Sequence, residues 1–550
     1  MNARIASRQH SLWVPFIVLA AAVLCIPVVV VLASLLEPAS ENWEHIKSTL
    51  LLEYLANTGG LAVGVAIGTL VLGVSTAWLT AMCRFPGRNA FAWLLLLPLA
   101  MPAYIIAYTY TGMLEFAGPV QTQLREWTGW GYGDYYFPEI RSLGGAATLL
   151  SLVLFPYVYL LSRAAFLEQS ICVLEVSRTL GCNAWSGFFR VAIPLARPAV
   201  VAGVSLALME TLADYGTVAY FGVGVFTTGI FRTWFGMGDA TAALKMASLL
   251  LLFVFTLIII ERMSRRRARF HHTTSRYSQL PEYPLSGLPA AGAVVVCLVP
   301  VTLGFLLPAG QLTIWAIETF TTMVDSRFVE LAAHSLLLAV TAALLSVALA
   351  LLFAYGQRLA PSPPVIASLR IASLGYALPG TVIAVGVIIP FAWLDGALNT
   401  LTESAFNVSV GLVMSGTLVA LLFAYLVRFL AISLQTVESG LGKIRPSMDD
   451  AARSLGLPPG QALRKVHVPL MKGSVITAVL IVFVDVMKEL PATMILRPFD
   501  FNTLAVRAFE LASDERLADS STAALMIVAL GLGPVLLLSK TISGARAGSA

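Results

Sequence analysis

Charge is what this sequence has least of. Lys, Arg, Asp and Glu make up only 12% of 550 residues, against 58% apolar. A soluble protein of this length needs far more charge to cover its surface, so a soluble globular enzyme is excluded. The formal net charge of +5 gives no sign of a nucleic-acid partner; what matters is where the charges lie. Cysteine is also scarce. Cys25, Cys83, Cys172, Cys182 and Cys297 form no CxxC, and Cys25 and Cys297 sit inside apolar runs, which excludes a disulfide framework or cysteine metal site. The six histidines are scattered, and the pair His271-His272 lies in a basic stretch that reads as solvated surface. No G-x-x-x-x-G-K-[ST] phosphate loop occurs, and no His/Cys/carboxylate cluster or nucleophile–base pair marks an enzyme. No catalytic residue and no bound cofactor is expected; which residues, if any, meet a metal is left open.

What is present is long apolar runs. About twelve can be drawn near the ~20 residues needed to cross a bilayer. They lie near 13–36, 59–82, 90–113, 143–162, 198–221, 242–260, 288–309, 333–355, 366–393, 408–433, 473–496 and 521–539. The fold class is all-α: a polytopic membrane protein of about twelve transmembrane helices in two homologous six-helix halves. The first run follows Arg4 and Arg8 and is too long for a signal-peptide core, so it reads as a retained span. With the N-terminus inside and the spans alternating, 25 of the 35 basic residues fall on inner segments or inner span ends, among them Arg262 to Arg269, Arg358, Arg445 and Arg464. Glu37, Glu41, Glu44, Glu126, Asp134, Asp514, Glu515 and Asp519 fall outside. That bias predicts both termini in the cytoplasm.

The halves repeat. Leu61-Ala-Val63 matches Leu338-Ala-Val340, with Thr58 falling on Ser335, and Leu99-Ala-Met-Pro-Ala103 parallels Tyr376-Ala-Leu-Pro-Gly380. Val63 and Val340 are 277 apart, as are Pro102 and Pro379. The expected organisation is a first half over 1–262, a basic cytoplasmic linker over 263–285 and a second half over 286–550. With an even number of spans each, the halves are parallel repeats, and a pathway is expected at their pseudo-twofold interface.

The most specific signal follows the fourth and tenth spans. Glu175-Val-Ser-Arg-Thr-Leu-Gly181 leads to Pro194; Asp450-Ala451-Ala452-Arg-Ser-Leu-Gly456 leads to Pro469. Acid-to-Gly spacing is six in both and Gly-to-Pro spacing is thirteen in both. Ser447 and Asp450 form an S-x-x-D capping signal, Gly456 suits a left-handed helix stop, Pro459 opens a second short helix and Pro469 ends it. The pattern predicts helix, sharp turn, helix.

These loops resemble the EAA loop of ABC importer permeases, an acid-Ala-Ala-x3-Gly pattern followed by a proline. The strings Glu210-Thr-Leu-Ala-Asp-Tyr-Gly-Thr217 and Lys488-Glu-Leu-Pro-Ala-Thr493, with Asn502-Thr-Leu-Ala-Val-Arg507, resemble the fused permeases of ferric-iron ABC importers, binding-protein-dependent transport inner-membrane components, over nearly the whole chain. The resemblance implies a type I ABC importer permease in the bacterial inner membrane, without ATP hydrolysis of its own. It implies a separate, dimeric ABC ATPase that uses the ATP and docks on coupling loops containing Glu175, Gly181, Pro194, Asp450, Ala451, Ala452, Gly456 and Pro469. It further implies a periplasmic binding protein delivering Fe(III). Related fused permeases leave thiamine and phosphonate as alternative cargoes. A proton- or sodium-driven secondary transporter is the rival class; it explains the spans but not two matched loops.

Four acids lie in apolar runs. Glu210 and Asp214 are i,i+4 and so share a face of a continuous fifth span; Asp485 and Glu489 take the equivalent places 275 residues on. Such groups face the bundle interior or water, because each costs roughly 2.5–3.5 kcal/mol near the bilayer centre. They are candidate pathway residues, with pairing to Lys488 as the structural alternative. Arg232 and Arg507, also 275 apart, are candidates for the periplasmic face.

Overall fold

A computed structural model describes residues 2–131, 133–167, 184–266 and 283–544. In chain order the main helices are α1 (Asn2–Ala33), α2 (Leu51–Met82), α3 (Arg88–Leu94), α4 (Ala103–Leu114), α5 (Leu143–Leu167), α6 (Ile193–Ala213), α7 (Gly216–Tyr220) and α8 (Ala240–Arg266). The second half gives α9 (Leu288–Met323), α10 (Ser326–Leu359), α11 (Pro363–Ala372), α12 (Gly380–Phe406) and α13 (Leu418–Gly442). It closes with α14 (Pro446–Ser454), α15 (Lys472–Met487), α16 (Pro491–Leu496), α17 (Leu504–Ser513) and α18 (Leu517–Gly544). The described residues contain one strand pairing, two residues long, Cys83–Arg84 with Tyr283–Pro284. Ten helices are long and apolar enough to cross a membrane, and two bent pairs raise the number to twelve if each is one span.

The bends correct the expectation of uninterrupted runs. The third run turns by 89° between Arg88–Ala100 and Ala103–Thr128. The pivot is Pro102, in extended backbone at φ −58°, ψ 139°. Pro379 adopts φ −58°, ψ 138° at the same place in the ninth run. Proline pushes the residue before it out of the helical region, so the repeated proline writes the same break into both halves. The repeat also has a matched hydrogen bond. Thr58 Oγ1 accepts from Phe226 N at 3.4 Å, and Ser335 Oγ accepts from Leu504 N at 2.8 Å. Each hydroxyl holds the start of a short helix late in its half.

Two compact units arise, and neither is one sequence half. One comprises residues 1–44, 230–249 and 324–507; the other 45–229, 250–323 and 508–550. In the first, α1 packs against α11 and α12. Gly356 of α10 leaves room there for Ile17 and Trp13 of α1. Lys245 of α8, only 5% exposed, donates to the carbonyls of Ser34 at 2.9 Å and Glu37 at 2.8 Å, capping the C-terminal end of the first span. Asp239 at the start of α8 accepts from Asn42 Nδ2 at 3.1 Å. Burial works to raise its carboxyl, but hydrogen bonds from Ser40, Asn42 and the Ala242 and Thr241 amides hold it below the usual range.

In the second unit, α2 lies along α5. Gly60, Gly64 and Gly68 recur every four residues on α2, and a Cβ at them meets Leu143, Ala147 and Ser151 of α5. Small residues at this spacing let two backbones approach closely, which matters in lipid, where close packing replaces the hydrophobic drive. In the same unit α9 packs along α18, and Thr319 Oγ1 reaches the Ala518 carbonyl at 3.3 Å.

Candidate functional site

The second of the two matched loops, the candidate coupling loop around Asp450, lies wholly within the described residues. Arg445 precedes α14 in extended backbone and Pro446 is its first residue, with no side-chain cap. Ser447 is therefore inside the first turn, not the cap its sequence pattern suggests; proline, needing no N–H partner, takes the helix start. The stop is as expected. Gly456 has φ 76°, its N–H bonds to Arg453 O at 2.9 Å, and Leu457 N–H bonds to Ala452 O at 3.0 Å. This pair of bonds is the Schellman arrangement. Pro459 begins the next short helix, which runs on to Leu470 and turns by 83° into α15. Pro469 lies just before that turn, after a wide-turn segment over Leu463–His467. Pro194 follows an identical segment over Phe188–Ala192. Glu175 and Gly181 lie outside the described residues.

Within the loop, faces divide sharply. The Asp450 side chain is 70% exposed and pairs with Arg453, one turn on, at 3.3 Å. Ala451 is exposed, whereas Ala452 is 3% exposed. Met448 and Leu455, at 46% and 80%, add apolar surface beside Asp450. The residue that sequence reasoning missed is Asp449, which turns inward. Its carboxylate accepts from Arg358 at 2.7 Å and faces His467 Nε2 at 2.6 Å.

The membrane acids are placed differently from expectation. α6 ends at Ala213, and Asp214 has left the helix at φ −67°, ψ 131°. Glu210 and Asp214 therefore do not share a helical face. Asp214 instead accepts from Thr217 N at 3.1 Å, Thr217 Oγ1 at 3.1 Å and Val218 N at 3.3 Å, holding the start of α7. The second half repeats this break. α15 stops at Met487, and Glu489 Oε1 accepts from Ala492 N at 3.0 Å at the start of α16. Both breaks come where a carboxylate competes with the helix for backbone N–H groups. Glu489 also binds Arg428 of α13 at 3.0 Å, both side chains under 10% exposed. The first half has Val153 where Arg428 falls, and Thr217 there serves Asp214 instead. Asp485 pairs with Lys488 at 2.8 Å, the in-helix pairing weighed against a pathway role. Glu210 is half-buried on α6. Arg232 is exposed at the end of the helix that Thr58 anchors, and Arg507 is half-exposed in α17, anchored by Ser335. Among the described residues no group of three or more His, Cys, Asp or Glu is gathered as a metal would need.

Comparison with known proteins agrees with this architecture. Residues 69–270 match the model of the binding-protein-dependent transport system inner membrane component. The chain is 26% identical over 548 residues to an Fe(3+)-transport system permease protein of Haemophilus influenzae, covering 97% of this chain and 99% of that one. A putative ferric transport system permease of the same organism is 24% identical over 487 residues, covering 82% of this chain and 71% of its own. A molybdenum transport system permease from that organism is 29% identical over 161 residues, covering 29% of this chain and 67% of its own. Residues 69–270 thus carry a binding-protein-dependent transport inner membrane component domain, and the chain as a whole is a multi-span membrane protein similar over its length to ferric transport permeases.

Proposed function

We propose that this chain is the fused permease of an ABC importer for Fe(III), fed by a periplasmic binding protein and driven by a separate, dimeric ATPase. The observation that carries the cargo is the likeness to ferric permeases over almost the full length of both chains, whereas the likeness to the molybdenum permease spans a single region. The driving step rests on the coupling loop. A short helix with Asp450, Ala451, Met448 and Leu455 outward and a fixed glycine stop presents an acidic and apolar knob suited to a cleft on a partner protein. Both termini and both coupling loops then lie in the cytoplasm. Carboxylate oxygens are hard ligands that suit a small, highly charged ion, and contacts one or two at a time let it leave again. Glu210 and Asp485, the latter beside Lys488, are the acids offered for that role, since Asp214 and Glu489 are tied to the backbone at the starts of the short helices that follow them.

The test is uptake into membrane vesicles holding this chain and its ATPase, with the cognate binding protein supplied. ATP-dependent entry of ferric iron, and not of molybdate, sulfate, thiamine or phosphonate, is expected. Entry driven by a proton or sodium gradient without ATP, or no association with an ATPase on purification, overturns the reading.

A further inference from the structure

The inward-facing side of the second coupling loop carries a fastening that the loop's outward function does not explain. Arg358, in the last turn of α10, gives Nε to Asp449 Oδ2 at 2.8 Å. Its Nη1 goes to the Leu441 carbonyl at 2.8 Å and its Nη2 to the Ile444 carbonyl at 2.8 Å. One guanidinium thus joins α10, the end of α13 and α14. His467, 0% exposed, completes the cluster beneath the Tyr355 ring, whose centroid is 5.1 Å from its own.

The protonation of His467 follows from counting donors. Its Nδ1 lies 3.0 Å from the Ala462 carbonyl and its Nε2 lies 2.6 Å from Asp449 Oδ1. A carbonyl oxygen only accepts. Asp449 takes the guanidinium on its other oxygen, and a carboxylate so paired offers lone pairs to the ring. Both ring nitrogens therefore face acceptors, and only the imidazolium has two N–H groups to give. The cluster is then an alternating row of cation, anion, cation, made of charge-assisted bonds that are short and directional. The sequence places none of this in the first half, where Ala81, Leu174 and Ala192 stand at the positions equivalent to Arg358, Asp449 and His467.

We propose that Arg358, Asp449 and an imidazolium His467 form a latch that makes the second coupling loop move as one body with α10, a fastening whose residues have no counterpart at the equivalent positions of the first half's sequence. Loosening the latch lets the loop tilt under a docked ATPase without carrying the helix. His467 is a positioning residue, buried away from any partner. The proposal rests on the reading of this loop as the ATPase-coupling segment.

The test uses the complete complex of permease, ATPase and binding protein in proteoliposomes. His467→Gln and Asp449→Asn are expected to lower ferric iron moved per ATP hydrolysed at least threefold while the ATPase still copurifies, and Asp449→Glu is expected to recover part of the loss. Histidine ¹⁵N NMR of the intact permease, with the signal assigned by its loss in His467→Gln, is expected to show both nitrogens protonated. An unchanged ratio in both variants overturns the latch, as does a neutral imidazole signal. Equal losses of folded yield and transport also overturn it, since they mark a merely structural cluster. If the unaltered complex fails to associate with the ATPase, the coupling reading itself has failed, and the NMR result still decides whether the charged cluster exists.

Discussion

Gly456 offers a test in which conformation and size make opposite forecasts. Its φ of 76° is a region where side chains with a Cβ meet their own backbone. A Cβ built there finds nothing within 4 Å, so the surroundings raise no objection to a larger residue. The whole penalty is thus the left-handed backbone: roughly 1–2 kcal/mol for Ala, or about a five- to thirty-fold loss of the properly stopped helix. Asn tolerates this region better than Ala despite its greater bulk, and Val, branched at Cβ, tolerates it worst. Transport per ATP in proteoliposomes should therefore fall in the order Gly, Asn, Ala, Val, while the spans insert normally. The same order is expected for ATPase retained on purification. An order following side-chain volume, with Asn below Ala, would refute the argument and point to a steric contact with the partner. A Val variant indistinguishable from Gly would show that the stop does not matter to coupling.

Other outcomes follow from the same geometry. In a background without native cysteines, single cysteines at Asp134 and Ser186 should react with an impermeant reagent from opposite sides of the membrane; same-side labelling breaks the proposed topology. Glu210→Gln with Asp485→Asn should lower iron uptake more than folded yield, and unchanged uptake removes both acids from the pathway. Glu489→Gln removes the carboxylate charge facing buried Arg428 and should cost about 3–5 kcal/mol, seen as lost yield and a lower unfolding temperature in detergent. Adding Arg428→Met should restore much of that stability, and a double variant as unstable as the single one contradicts the pairing argument. Asp239 is held below its ordinary carboxylate range, so its stabilising share is fully present above the unfolded value near ~3.9 and is lost as pH falls through the folded value. Asn42→Ala should shrink that acid-side slope in thermal unfolding, and an unaltered slope argues against the clamp.

What the sequence revealed and what it hid divide along physical lines. Pro459 and Gly456 act through their own backbone restrictions, so their effects were legible from local spacing, whereas Pro102 and Pro379 marked the repeat without revealing the breaks they make. The breaks after Ala213 and Met487 were not, because an apolar run reads the same whether its backbone is helical or interrupted by a carboxylate taking N–H groups. Asp449 and Asp450 are neighbours with the same chemistry. Which one turns inward is decided by Arg358, 91 residues away, a partner no local pattern names. Lys245 was hidden in the same way, since its two carbonyl partners lie more than 200 residues earlier.

The packing of α1 against α11 and α12 has a consequence for how the protein is made. The first helix leaves the ribosome roughly 330 residues before the helices it will rest on. At about 5–20 residues per second, that is on the order of 15–65 s spent in the bilayer without its partners. Its largely exposed apolar surface suits such a wait, since lipid can solvate it meanwhile. Conversely α9, born in the second half, joins helices already inserted, and is itself joined by α18 only about 190 residues later. The first half is therefore not a finished folding unit when its last residue is added, and the second packs one of its helices on helices of the first. A gene split between the halves would have to return both first helices to partners made on a different ribosome; a single chain keeps them tethered until those partners arrive.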